Sequence, residues 1–269
     1  MYALVDDETG QTLGRFERLS EFFVGRPDGN DSLGIGSVGP VQLGFEIKGI
    51  SVGEDALLTL RAKGRKNLVV QVLSSDLVPI GEYYVASAAV DLPKGGHLPG
   101  SANLIDLNVD GYLNWLPRRE AKAIWGSWAE ARPDRKGLWA NLPLGSREAW
   151  LEVAGLYAQT EDQSNQSRVD TIDLPDYFMN GAHVEDLASF FCALGEAING
   201  PGGYYGWNIA ALADLLKSDS RSRAPFTLHW SDFDVAGIAL SARVAAGGRT
   251  VLDLVLECLS EAGVVVMRE

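Results

Sequence analysis

Cysteine is nearly absent from this 269-residue chain. The two that occur, Cys192 and Cys258, sit in apolar runs (Phe190-Phe191-Cys192-Ala193-Leu194 and Val255-Leu256-Glu257-Cys258-Leu259) and read as small buried hydrophobes rather than a disulfide framework. Histidine is equally sparse. His97, His183 and His229 stand apart without ligand spacing, and no Cys/His/Asp/Glu cluster matches a zinc or calcium site, so neither a metal nor another cofactor is expected. No apolar run reaches the roughly 18 residues that a membrane span needs. The stretch Met1-Tyr2-Ala3-Leu4-Val5-Asp6-Asp7 has neither a basic nor an apolar leader region, which predicts a cytoplasmic protein with no membrane partner. Basic residues are in deficit, with 23 Lys and Arg against 36 Asp and Glu, a formal charge of −13. Such a chain repels a polyanion, which argues against direct nucleic-acid binding and favours a basic partner, although acidic surfaces also serve solubility alone.

A phosphate-binding glycine loop is missing as well. Gly34-Ile35-Gly36-Ser37-Val38-Gly39 only brushes the dinucleotide pattern and reads as a loop, because no βαβ setting surrounds it. Asp106-Leu107-Asn108-Val109-Asp110-Gly111 has the acidic start of a calcium loop but lacks the glutamate at its twelfth position, and reads as a β-turn. No enzyme is predicted.

What is present is enough apolar sequence, 46% of residues, for two cores. The polar, aperiodic stretch Gln159–Arg168 is the best linker candidate. It divides the chain into a domain over 1–160 and a second over 168–269. In the first, Ala3–Val5, Val41–Ile47, Ala56–Arg61, Asn67–Leu73 and Tyr83–Val90 read as short strands, with Val41, Leu43, Phe45 and Ile47 alternating onto one face. These segments predict a mainly antiparallel β or α+β domain. One helix is expected from Asn114 to about Ala131, placing Ala121, Ile124, Trp125 and Trp128 together, while Trp139 and Trp150 lie in segments expected to return to the sheet.

The second domain reads as α/β, a small parallel sheet with helices packed on it. Val169–Leu174, Phe226–Trp230 and Val264–Met267 are its strands; Val184–Gly195, a helix after Asn208, and Thr250–Ala262 are its helices. With Asn208 as helix cap, Ala210 and Asp214 fall one turn apart on one face, where a carboxylate can project toward a partner.

Two segments of this domain carry a resemblance. Gly202-Gly203-Tyr204-Tyr205-Gly206-Trp207-Asn208-Ile209-Ala210-Ala211-Leu212-Ala213-Asp214-Leu215-Leu216 joins a glycine/aromatic turn to a helix, and Pro225-Phe226-Thr227-Leu228-His229-Trp230-Ser231-Asp232-Phe233 follows in the same order and spacing as in barstar-like ribonuclease inhibitors, which this part of the chain resembles. The resemblance spans about 169–269. It implies an inhibitory surface made by Tyr204, Trp207, Asn208, Asp214 and a rim glutamate, Glu257, with Tyr205 packed beneath the turn. Ala210 stands where the family's first helix acid lies. The loop Lys217–Ala224 also departs, lacking the family's Trp and carrying Lys217, Arg221 and Arg223.

From Arg168 onward there are 14 acidic and 7 basic residues, so the inhibitor-like part is the more acidic per residue. The function these features imply is that of an intracellular immunity protein whose acidic helix enters the phosphate-binding site of a secreted or delivered ribonuclease toxin, blocking it by charge mimicry without catalysis. The alternative is a non-catalytic scaffold or regulatory module that uses the same surface for another partner.

Overall fold

The computed structural model describes residues 1–25, 39–92, 103–164, 176–218, 224–244 and 247–269. They form two compact units. The described part of the first comprises 1–25, 39–92, 103–132 and Gln159–Glu161; that of the second comprises Pro133–Ala158 and the residues from 162 to Glu269.

The first unit is built on seven strands: β1 (Tyr2–Asp6), β2 (Thr12–Phe16), β3 (Arg18–Ser20), β4 (Val41–Val52), β5 (Lys66–Leu73), β6 (Pro79–Asp91) and β7 (Asn103–Leu113). All pairings are antiparallel, in the order β2-β1-β5-β6-β7-β4-β3. A further β2–β4 pairing at Arg15 and Ser51 closes six of the strands into a barrel, which removes most of the unpaired edge. The expected alternation holds along β4, where Leu43, Phe45 and Ile47 are buried. It then changes parity, because Ile50 and Val52 are buried on the far side of a bulge. The extra residue lies at Gly49, whose φ of 65° favours glycine and whose N–H donates to Asp106 Oδ1 at 2.8 Å.

Three expectations fail in this unit. Ala56–Arg61 is not a strand but part of helix α1 (Glu54–Arg61), in which Glu54 and Asp55 occupy the first turn and Ala56 and Leu60, one turn apart, are buried. The period of four outweighs the short apolar run. Asp106–Gly111 is not a turn but the middle of β7, paired along β4. The helix expected from Asn114 is α2 (Ala121–Glu130), starting beyond Pro117; Ala121, Ile124, Trp125 and Trp128 are buried along it as expected. Trp125 ties α2 to the barrel by donating from Nε1 to Tyr83 Oη at 2.9 Å, and its ring occupies the space that a Cβ on Gly81 would need. Tyr83 in turn meets Phe22 and Phe23 edge-to-face, at ring centroid distances of 5.2 and 5.8 Å.

The second unit begins earlier than the sequence indicates. Trp139 and Trp150 do not rejoin a sheet: Trp139 lies in a 3₁₀ helix (Leu138–Asn141) and Trp150 in the helix α3 (Leu144–Ser164). The linker candidate is helical over 159–164, and its remainder lies outside the described residues. Residues 133–158 group with the C-terminal elements because their buried polar atoms find partners there. Arg147, 4% exposed, donates to the His183 carbonyl at 3.2 Å and pairs with Glu185 at 3.1 Å.

After α3 come β8 (Asp176–Asn180), α4 (Leu187–Asn199), α5 (Ile209–Ser218), β9 (Thr227–Ser231), α6 (Phe233–Ser241), α7 (Val251–Glu261) and β10 (Val265–Arg268). The strands make the expected small parallel sheet, in the order β10-β9-β8. The strand expected at Val169–Leu174 lies outside the described residues; β8 and α6 were not expected. One face of the sheet is buried through Met179, Leu228 and Trp230, with Phe190 of α4 5.4 Å from the Trp230 ring. Helix α4 starts at Leu187 rather than Val184, because Asp186 accepts from Ser189 N at 2.7 Å and forms a capping box with it; Thr250 and Asp253 cap α7 in the same way. Cys192 and Cys258 are both free and buried. Among the described residues, no helix is long and apolar enough to cross a membrane.

Candidate partner-binding site

The turn between α4 and α5 is made by contact between backbones. Gly195 in α4 and Gly203 in the turn touch so closely that a Cβ on either would overlap the other's main chain. The last turn of α4 holds this approach together: Asn199 Nδ2 donates to the Tyr204 carbonyl at 2.7 Å, and Glu196 Oε1 accepts from Gly202 N at 3.1 Å. Beyond it Gly206 adopts φ 92°, packed against Leu212 and the Phe191 ring, and turns the chain into α5.

Each expected site residue can now be placed. Asn208 is nearly buried and caps α5, its Oδ1 accepting from Ala211 N at 2.7 Å. Ala210 and Asp214, one turn apart, are both exposed, while Leu212 and Leu216 are buried on the inner side of the helix. Trp207, just before the cap, is 57% exposed. Such a ring held open to solvent beside a helix start is the kind of side chain that anchors protein interfaces. Tyr205 is fully buried beneath the turn, as expected.

Tyr204 is placed differently from a freely offered interface ring. It is half-buried and lies over Gly155 of α3, where a Cβ would come within 3.2 Å of its Cε2. Burial pushes its phenol up to about 12. Glu257 is on the exposed side of α7, next to Cys258, whose thiol faces the Ile209 carbonyl at 3.9 Å, so α7 runs beside the start of α5. Its carboxylate is ion-paired with Arg249. The site therefore presents Trp207, Ala210 and Asp214 outward, uses Asn208 and Tyr205 to hold the backbone, and tucks Tyr204 under α3. Lys217 is exposed at the end of α5; Arg221 and Arg223 lie outside the described residues.

Sequence reasoning missed Glu196. It is 3% exposed, and its Oε2 accepts from Gly137 N at 2.7 Å and Trp139 Nε1 at 2.9 Å while Oε1 takes Gly202 N. Burial raises its pKa, and the hydrogen bonds from Gly137, Gly202 and Trp139 oppose that shift. The available signal was one acid inside the apolar run Phe190–Ala197. Among the described residues, no group of three or more His, Cys, Asp or Glu could hold a metal ion.

The surface can offer one carboxylate and one large ring from a rigid helix start, a combination suited to binding a cationic protein site. Residues 175–265 match the family described as Barstar (barnase inhibitor), and the match takes in β8, α4, the glycine/aromatic turn, α5 and α7. No curated protein matches the chain. The match covers none of the barrel and none of the stretch 133–174. The C-terminal segment of this chain, from β8 to the start of β10, is therefore similar to the barstar family.

Proposed function

We propose that the C-terminal unit is an immunity protein's inhibitory domain, which blocks the active site of a basic ribonuclease by placing Asp214 in its phosphate-binding site. The observation that carries this is the outward stripe Trp207, Ala210 and Asp214 at the start of a capped helix inside the family match. A ribonuclease active site gathers cationic groups around the phosphate, and a carboxylate on a preorganised helix meets them at little ordering cost. Trp207 supplies apolar area beside that charge. The excess of acidic residues from Arg168 onward favours association with a cationic partner, an effect that salt weakens. In this reading the toxin acts from outside or is delivered, and the inhibitor meets it in the cytoplasm.

The decisive experiment titrates the full chain and its Asp214→Ala variant into a cleavage assay with a basic microbial ribonuclease. Stoichiometric inhibition by the wild type and a loss of about 2–5 kcal/mol in affinity for the variant are expected for a buried charge contact. Absence of inhibition by the wild type refutes the proposal.

A second reading rests on Tyr204 and Ala210. With the tyrosine under α3 and only one acid on the outward face, the same surface fits a scaffold or regulatory module whose partner is not a nuclease. Partner binding that survives Asp214→Ala would favour it.

A further inference from the structure

Glu196 joins three pieces of chain that are distant in sequence: the last turn of α4, the glycine turn before α5, and the 3₁₀ segment around Trp139. We propose that Glu196 is a positioning residue for the binding surface, fixing the turn Gly200–Trp207 to Gly137 and Trp139, so that residues 133–158, which the family match does not include, are a working part of that surface.

The stereochemistry carries the inference. A carboxylate is acceptor-only, and all three groups facing Glu196 are N–H donors. Its two oxygens point to different elements: Oε2 to the 133–142 segment, Oε1 to the turn. A buried carboxylate on a helix flank is retained at a desolvation cost, and the return here is three hydrogen bonds that cross between elements. The neighbouring charges are Lys136, which favours the ionised form of Glu196, and Arg147, whose guanidinium lies 5.5 Å from the Trp139 ring centroid. The Cys192 thiol, one turn earlier in α4, is pushed well up by burial and stays neutral. A second contact runs in parallel, the Tyr204 ring over Gly155. The turn that leads to Trp207 is therefore held by the segment preceding the matched residues at two points, Gly202 through Glu196 and Tyr204 directly. A turn fixed before encounter binds more tightly, because apparent affinity falls in proportion to the fraction of molecules in the competent shape.

The role as a binding determinant rests on the proposed function; the tether itself does not. The test uses the full chain as wild type, Glu196→Gln and Trp139→Phe. A glutamine can keep its carbonyl on Gly137 and Trp139 but must then face Gly202 N–H with an amide N–H, so it releases the turn selectively. Exchange of the Gly202 amide is expected to speed up on the order of 10-fold or more in Glu196→Gln, with the amides of Phe191 and Leu194 unchanged, and nuclease affinity to fall on the order of 10-fold. Trp139→Phe, which keeps an aromatic ring and removes the N–H donated to Glu196 Oε2, covers the case in which the first variant does not fold; by loosening the carboxylate it is expected to speed Gly202 exchange severalfold. Gly202 exchange that stays as in wild type, or that rises only together with the α4 core amides, overturns the tether. A released turn with undiminished nuclease affinity overturns its role in binding. A wild type that inhibits no ribonuclease sinks the functional reading while the exchange measurement still decides the tether.

Discussion

Replacing Gly195 by alanine sets two physical effects of opposite sign against each other. Gly195 is in the interior of α4, where alanine is favoured over glycine by about 1 kcal/mol on helix propensity. The structure reverses that gain. The new Cβ would overlap the Gly203 carbonyl oxygen and come within 3.1 Å of Tyr204 Cα, and both are backbone atoms that cannot rotate aside. The turn must lift, which costs about 1–3 kcal/mol in misfit. Lifting it also breaks the bond from Gly202 N to Glu196, a hydrogen bond to a charged acceptor worth about 1.5–3 kcal/mol. The balance is a destabilisation of about 1.5–5 kcal/mol for the second unit. Gly126→Ala is the control. Gly126 is exposed in α2, and an added methyl there would have nothing within 4 Å, so the first unit should gain up to about 1 kcal/mol. Denaturant unfolding of the full chain, followed by tryptophan fluorescence and by amide exchange in each unit, reads both effects. If Gly195→Ala raises the midpoint of the second unit as Gly126→Ala raises that of the first, the close approach of α4 and the turn is wrong.

Other expectations follow from the same geometry. Ala210→Glu adds a carboxylate one turn before Asp214 on the exposed face; it should tighten nuclease binding on the order of 10-fold, mostly through faster association at low salt, against a helix cost of about 0.5 kcal/mol for like charges four apart. Surface binding kinetics at two salt concentrations would show this, and slower association would contradict a cationic partner site. Tyr204 should titrate at about 12 by ultraviolet difference spectroscopy, a component that Tyr204→Phe removes. Its folded pKa lies above the ordinary value near 10, so its contribution to stability is complete below about pH 10 and is lost as pH rises through about 12. Gly81→Ala should destabilise the barrel by about 1–3 kcal/mol, measured by thermal unfolding, because the Trp125 ring cannot move without giving up its bond to Tyr83.

The sequence by itself determined what depends on neighbours in the chain. The alternation of Leu43, Phe45 and Ile47, the stripe Ala121, Ile124, Trp125 and Trp128, the cap at Asn208 and the exposed pair Ala210 and Asp214 are all set by local period and side-chain type. The glycine/aromatic turn and the Pro225–Phe233 run were enough to mark the segment that matches the Barstar family. What depends on distant contacts was decided only in the tertiary structure. The run Ala56–Arg61 was short enough to suit either strand or helix, and the burial of Ala56 with Leu60 settled it as helix. The place of 133–158 in the second unit follows from Arg147 and Glu196, polar side chains whose partners lie far away in sequence. The covering of Tyr204 by α3 follows from the missing side chain at Gly155, 49 residues earlier. Local sequence fixes which face of a helix or strand is apolar; which other segment comes to lie on that face is chosen by packing and by the need of each buried polar atom for a partner, and neither has a period that the sequence displays.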